Sequence, residues 1–181
     1  YMKKIFIFSS SLRKGSNSDA LALKIKEGAE KADNEVTYLK ANEIELNYCI
    51  GCLTCTKTGK CVLKDSMNDL YKKISDSDVL VFASPIYYYG ISGLLKTFLD
   101  RLNPLFNATN KFKEIYLAFS AAEDEGEATY EKAVTAVQGW VDCFEGVEIK
   151  GVVFAGGVDS VNAILNKKEA LEEAFNLGQN I

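Results

Sequence analysis

Short apolar runs separated by longer amphipathic stretches make up the hydrophobic pattern of the chain. Runs rich in β-branched and aromatic residues that are nearly continuous are typical of strands buried on both faces of a sheet. Four such runs and one weaker run predict five strands, at residues 3–9, 35–39, 78–84, 114–120 and 147–155.

Between these runs, hydrophobic residues recur at the three- and four-residue spacing of amphipathic helices. In the first stretch Leu21, Ile25 and Ala29 form one stripe. The predicted helices are 18–32, 67–74, 92–102, 128–144 and 163–177. Alternation of five strands with five helices predicts an α/β fold, a three-layer αβα sandwich around a parallel sheet. Since no repeat or linker divides the chain, we expect one domain over residues 1–181.

Ligands of an open parallel sheet bind beyond the carboxyl ends of its strands. The loop after the first predicted strand, SSSLRKGSNS, combines hydroxyls, an amide and Arg13 just before a helix. Backbone N–H groups at a helix N-terminus, with such donors around them, suit a single phosphate group. The alternative is an ordinary polar loop with a Ser or Asn helix cap.

Three consecutive tyrosines follow the third predicted strand, in the loop SPIYYYGISG at residues 84–93. Exposed aromatic side chains beside a phosphate site are suited to flank a planar ring. The alternative is that these tyrosines pack against the next helix or a second subunit. A third loop, SAAEDEGE at residues 120–127, lies after the fourth predicted strand.

Composition excludes several classes of function. The net charge of −4 argues against a nucleic-acid partner, and no apolar run reaches the roughly 20 residues that span a membrane. Histidine is absent, which removes catalysis and metal ligation by imidazole. The N-terminus has no cleavable-signal pattern, so we expect a cytoplasmic protein without structural disulfides.

Two stretches, SSSLRKGSNSDAL at 9–21 and DSMNDLYKKISDSDVLVFASPIYYYGISGLLKTFLDR at 65–101, resemble the flavodoxin-like NAD(P)H-dependent FMN reductases. The resemblance covers essentially the whole chain and implies a five-stranded parallel sheet in the order 2-1-3-4-5, with FMN at its carboxyl edge. The FMN phosphate would be held by Ser11, Arg13, Ser16, Asn17 and Ser18. The flavin ring would be contacted on one side by Pro85, Ile86, Tyr87, Tyr88, Tyr89 and Gly90. Its other side would be contacted by Ser120, Ala121, Ala122 and Glu123.

Four of the five cysteines fall within the segment CIGCLTCTKTGKC, at Cys49, Cys52, Cys55 and Cys61. Three thiolates at two-residue intervals with a fourth further on suit one [4Fe–4S] cluster. This spacing is also similar to that of the iron–sulfur flavoproteins, a branch of the same family. Zinc and free or redox-active thiols are the alternatives. We expect the segment to fold near the flavin as an insert loop, and Cys143 to be a buried packing residue.

The resemblance implies an oxidoreductase that passes electrons from NAD(P)H through FMN to an acceptor, either directly or by way of the cluster. No side chain is expected to act as an acid or base, because the flavin carries the chemistry. The partners would be a nicotinamide dinucleotide and an electron acceptor, in a homodimer or homotetramer. The stretch Pro104, Leu105 and Phe106 suits either a subunit interface or a buried loop within the monomer. Two alternatives remain, a non-enzymatic electron carrier of flavodoxin type and a thiol-based redox sensor.

Overall fold

The computed structural model describes residues 1–181. Its strands are β1 (Lys4–Ser9), β2 (Glu35–Lys40), β3 (Val79–Tyr87), β4 (Gly90–Ile91), β5 (Glu114–Ser120) and β6 (Glu148–Ala155). Its α-helices are α1 (Asn17–Lys31), α2 (Thr54–Thr58), α3 (Met67–Ser75), α4 (Gly93–Arg101), α5 (Glu127–Val141) and α6 (Lys168–Gln179). No helix is both long enough and apolar enough to cross a bilayer.

Each predicted strand is present, and three predicted helices agree with the structure to within one residue at each end. The helix predicted over 128–144 ends early, at Val141. The helix predicted over 163–177 begins late, because Lys167 has a non-helical backbone. Residues Ala163–Asn166 form a separate 3₁₀ turn before α6 begins. The short helix α2 lies inside the cysteine segment and was not predicted.

Five strands form a parallel sheet in the order β2-β1-β3-β5-β6. The predicted count of five strands is wrong by one, because β3 runs on to Tyr87 and folds back into β4. The turn between them places Tyr88 and Tyr89 at φ of 49° and 62°. Positive φ at both central residues is the geometry of the tight turns that join antiparallel strands. Because the short strand β4 takes a number of its own, the parallel strands have the order 2-1-3-5-6 and not the predicted 2-1-3-4-5.

Alternate residues of β1 point to opposite faces of the sheet, and each face has its own core. Phe6 and Phe8 face one layer of helices, where the ring of Phe8 stacks on Phe98 of α4 at 3.8 Å between centroids. Ile5 and Ile7 face the other layer, which contains residues of α1 and α6. The near-continuous apolar pattern of β1 follows from this burial on both faces.

Helices α1 and α6 approach each other backbone to backbone. A Cβ atom built on Gly28 would lie 2.0 Å from the carbonyl oxygen of Phe175, and one on Gly178 would lie 2.1 Å from that of Ile25. No side chain fits at either separation, so the two glycines set the distance between the helices. The position of α1 matters for function because its N-terminus follows the loop after β1.

We expect Gly28→Ala to destabilise the protein by about 1–3 kcal/mol, because the added methyl group forces α1 and α6 apart. The matched control is Gly139→Ala in α5, where an added Cβ meets nothing within 4 Å. That change should stabilise the protein by about 0.5–1 kcal/mol through helix propensity. Urea denaturation of both variants measures the difference, and equal or greater stability of Gly28→Ala would contradict the packing described.

Candidate functional site

The carboxyl ends of the parallel strands meet at one edge of the sheet and enclose a pocket of about 130 Å³. Strand register brings them level, since Ser9 pairs with Ala83, Pro85 with Ser120, and Ser120 with Ala155. The pocket is lined by Ser11, Arg13, Ser16, Asn17, Pro85, Ile86, Tyr87, Ser120, Ala121, Ala122, Val158 and Asp159. Three loops singled out in the sequence therefore contribute to a single pocket.

The loop after β6 also lines this pocket, through Val158 and Asp159, and sequence reasoning missed it. A signal was available, because this loop follows a strand whose carboxyl end lies at the same edge. Its sequence, GGVDSVN, carries no distinctive ligand-binding pattern.

The loop before α1 is arranged as an anion site would be. Ser16 caps α1 by accepting a hydrogen bond from the backbone N–H of Asp19 at 3.3 Å. Ser11 is buried, and Arg13 is exposed with its Nη1 donating to the carbonyl oxygen of Asp159 at 2.7 Å. Hydroxyls, a guanidinium and the positive end of a 15-residue helix thus surround one space.

Asn17 connects this loop to the loop after β6. Its Nδ2 donates to the carbonyl oxygens of Val158 and Ser160 at 2.9 and 3.0 Å, and its Oδ1 accepts from the N–H of Ile164 at 3.0 Å. The amide therefore already has three protein partners. A contact between Asn17 and a phosphate stays a prediction, while its role in holding the two loops together is seen directly.

Five of the predicted residues lie outside the pocket lining. Ser18 is fully buried beside Ser16, with 3.2 Å between the two hydroxyl oxygens. Tyr88 is fully exposed at the tip of the hairpin, and the ring of Tyr89 lies 5.3 Å from Nζ of Lys132. The remaining two are Gly90 and Glu123.

The four clustered cysteines line a second pocket, of about 380 Å³. Cys49 and Cys52 are exposed, whereas Cys55 and Cys61 are half-buried, and all are free thiols. No three or more ligating side chains converge closely enough to hold a single metal ion.

Cys143 lies apart from this pocket and is exposed, so its predicted burial is wrong. The physical reason is that α5 ends at Val141, which removes Cys143 from the buried stripe of that helix.

The rest of this second pocket comes from the C-terminal end of α4 and the turn after it, through Asp100, Arg101, Asn103 and Pro104. Nδ2 of Asn103 lies 3.0 Å from Sγ of Cys55, and Nη2 of Arg101 lies 3.6 Å from Sγ of Cys61. Each half-buried sulfur therefore faces an N–H donor. Of the stretch expected at a subunit interface, Pro104 and Leu105 are buried within the chain, and Phe106 is exposed.

Arg101 and Asp65 form a buried ion pair beneath the cysteines, with side chains 1 % and 0 % exposed. Burial alone would raise the pKa of Asp65. Hydrogen bonds from Arg101 and from the backbone N–H groups of Asn47 and Met67 outweigh burial and lower this pKa to about 2. Asp65 is therefore a carboxylate at neutral pH.

The two pockets lie at opposite ends of α4. The N-cap residue of α4, Ser92, hydrogen-bonds Ser10 and Ser84 at the carboxyl edge of the sheet, whereas Arg101 at the other end faces the cysteines. A nine-residue helix is about 13 Å long, and the pockets share no residue. The cysteine segment packs on the far end of α4, and its closeness to a bound flavin stays a prediction.

Comparison with known proteins gives matches of family, sequence and fold. A family model described as NADPH-dependent FMN reductase matches residues 3–156. An iron-sulfur flavoprotein of Archaeoglobus fulgidus is 37% identical over 103 residues, which are 57% of this chain and 46% of the relative. The iron-sulfur flavoprotein MJ1083 of Methanocaldococcus jannaschii is 31% identical over 129 residues, covering 70% of this chain and 66% of the relative. The match thus spans about half the length of the first of these curated relatives.

Among solved structures, an NAD(P)H:quinone oxidoreductase from Methanothermobacter marburgensis superposes with a TM-score of 0.75. The alignment covers 99% of this chain and 97% of that one, at 16% identity. Likeness at this identity supports the α/β flavodoxin-like fold alone. The family match extends over most of the chain and includes both pockets except for the loop after β6. The chain therefore belongs to the NADPH-dependent FMN reductase family.

Proposed function

We propose that this protein is an FMN-dependent oxidoreductase that passes electrons from NAD(P)H through FMN to an acceptor. The observation that carries the proposal is the convergence of three predicted ligand loops on one pocket at the carboxyl edge of the sheet. Ligand sites in folds of this kind occur at that edge. Membership of the FMN reductase family supports the identity of the ligand.

The residues present fit the phosphate end of FMN. Ser11 and Ser16 offer hydroxyls, Arg13 offers a guanidinium, and α1 begins beside the same space, at Asn17. A dianion there gains charge-assisted hydrogen bonds and the favourable end of the helix dipole. Arg13 can turn from the carbonyl oxygen of Asp159 to the phosphate because its side chain is exposed.

The pocket's volume of about 130 Å³ is smaller than the 300–1,000 Å³ of typical ligand sites. The pocket therefore suits the phosphate of FMN and the adjoining part of its ribityl chain, with the flavin ring further out. There the half-exposed Tyr87 and the segment Ser120–Ala122 would flank the ring and exclude water from one face. When bound, FMN supplies hydride acceptance and single-electron transfer, so this chain's residues need only bind and orient it.

The cysteine pocket forms the second part of the proposal, a [4Fe–4S] cluster held by Cys49, Cys52, Cys55 and Cys61. A cubane places its own irons and sulfides between its ligands, whereas zinc needs four ligands about 2.3 Å from one ion. The four cysteines line one cavity, and their spacing of two, two and five residues suits such a cluster. The names of the relatives from Archaeoglobus and Methanocaldococcus add support.

A thiol-based redox sensor is the second candidate, and the exposure of Cys49 and Cys52 favours it. Solvent-accessible thiols are the ones that oxidants reach. A cytoplasmic location and a homo-oligomeric assembly complete the main proposal. Exposed Tyr88 and Phe106 offer apolar surface for contact between subunits.

Anaerobic mixing of the FMN-loaded protein with NADPH or NADH should bleach the flavin's visible absorption, with one nicotinamide oxidised per flavin reduced. A reductase accepts hydride directly, whereas an electron carrier is reduced by dithionite but not by either nicotinamide. Stopped-flow absorbance measures the rate with each nicotinamide. Bleaching by dithionite alone would replace the proposed enzyme with the carrier.

Arg13→Ala should weaken FMN binding roughly tenfold or more, because a charge-assisted contact to the phosphate is lost. Its melting temperature should stay close to that of the wild type, because the bond it loses to the carbonyl oxygen of Asp159 is exposed. Asn17→Ala should lower both the affinity for FMN and the melting temperature, since it releases the loop after β6. The matched control is Lys14→Ala, an exposed cation beside Arg13 and outside the pocket lining. Fluorescence titration of the apoprotein with FMN gives the affinities, and equal losses in Arg13→Ala and Lys14→Ala would refute the assigned role of Arg13.

Cys52→Ser should abolish or strongly reduce iron binding and leave FMN binding unchanged, because the two pockets are separate. Cys52 is exposed, so the substitution leaves the core intact. Cys143→Ser, the control at an exposed cysteine elsewhere, should retain full iron. Iron and flavin content of anaerobically prepared samples decides the matter, and unchanged iron in Cys52→Ser would count against the cluster.

A further inference from the structure

One guanidinium contacts both ends of the cysteine segment. Arg101 Nη1 donates to the carbonyl oxygen of Asn47, two residues before Cys49, at 2.7 Å. The same guanidinium donates to both carboxylate oxygens of Asp65, at 2.5 and 2.8 Å, four residues after Cys61. Arg101 thereby ties the start and the end of the segment to the last turn of α4.

Asp65 completes this closure from the other side. Its Oδ2 accepts from the backbone N–H and from Nδ2 of Asn47, at 3.0 and 3.2 Å. Its Oδ1 accepts from the N–H of Met67, the first residue of α3, at 3.2 Å. The carboxylate therefore has three hydrogen bonds in addition to those from Arg101, and its negative charge is well satisfied.

Burial of this ion pair is costly, since each buried charge loses several kcal/mol of hydration. One donor, Nε of Arg101, is buried without a hydrogen-bond partner. An apolar pair of similar volume is often as stable as a buried ion pair. Since stability alone does not account for the buried guanidinium of Arg101, its positive charge has a specific use at this position.

The charge is directed at a sulfur. Nη2 of Arg101 donates to Oδ1 of Asp65 at 2.8 Å and also lies 3.6 Å from Sγ of Cys61. The carboxylate of Asp65 has further donors in Asn47 and Met67. The positive end of the pair thus faces the cysteine pocket. Hydrogen bonds to ligand sulfurs and nearby charge set the reduction potentials of iron–sulfur clusters. A cation stabilises the more negative, reduced cluster and so raises the potential.

We propose that Arg101 is a positioning residue that closes the cysteine segment and, through its contact with Cys61, raises the one-electron reduction potential of the cluster. The part that concerns the potential rests on the proposed function, whereas closure of the segment does not. Lys96 and Asp100, which precede Arg101 on α4, form an exposed ion pair, and Asp100 also lines the cysteine pocket.

The test uses the full-length protein with its cofactors loaded anaerobically. In the double variant Arg101→Met/Asp65→Asn both charges are removed and the amide oxygen can still accept from Asn47 and Met67. We expect the cluster's equilibrium constant for reduction to fall about tenfold, which is 59 mV for one electron. Arg101→Lys keeps the ion pair but cannot also reach Cys61, so it should lower the reduction potential as well. This variant replaces the double variant if the latter does not fold. A dithionite titration followed by electron paramagnetic resonance measures the potential.

Lys72→Met is the matched control, because it removes one positive charge from an exposed ion pair with Asp76 outside the cysteine pocket, and its potential should equal the wild-type value. Hydrogen exchange of metal-free protein tests closure separately, and amides of residues 47–65 should exchange faster in both Arg101 variants than in Lys72→Met. Unchanged potentials in both variants overturn the tuning, and unchanged exchange overturns the closure. A wild-type protein without iron overturns the cluster and its tuning together, while the exchange result still decides the closure.

Discussion

The parallel pairing of β1, β3, β5 and β6 determines where the residues of the pocket at the carboxyl edge lie. Parallel strands end at the same edge of a sheet, so the loops that follow them meet there whatever their separation in sequence. The strand register shows this directly, because Ser9 pairs with Ala83 and Ser120 pairs with Ala155. The same constraint forces each connecting helix to run back along the sheet, and α4 carries the chain away from the pocket at the carboxyl edge to the cysteines.

The strands and most helices could be predicted because their apolar patterns reflect local burial. Continuous apolar runs such as KIFIFS have no other role than to be buried on both faces. The three polar loops at the carboxyl edge could be predicted for the same reason, since their position follows from the strands. Pro85, Tyr87 and Ser120 accordingly line one pocket.

Other features depend on contacts between distant residues and could not be read from local patterns. Asn17 has a typical helix-start sequence, and nothing nearby shows that its amide binds a loop more than 140 residues away. Arg101 looks like the end of an amphipathic helix, yet it is buried because Asp65 and Asn47 satisfy it. The packing of the cysteine segment on the far end of α4 depends on that same pair. The hairpin to β4 needs positive φ at two tyrosines, which their side chains do not signal.

Two separate pockets, one suited to a flavin phosphate and one lined by four cysteines, are the central claim. The most direct test is the visible absorption spectrum of anaerobically purified protein, with FMN, iron and zinc quantified on the same sample. We expect flavin bands beneath a broad iron–sulfur absorption, with one FMN and about four irons per chain for a single cube. Flavin without iron, under conditions that protect clusters, would contradict the assignment of the cysteine pocket.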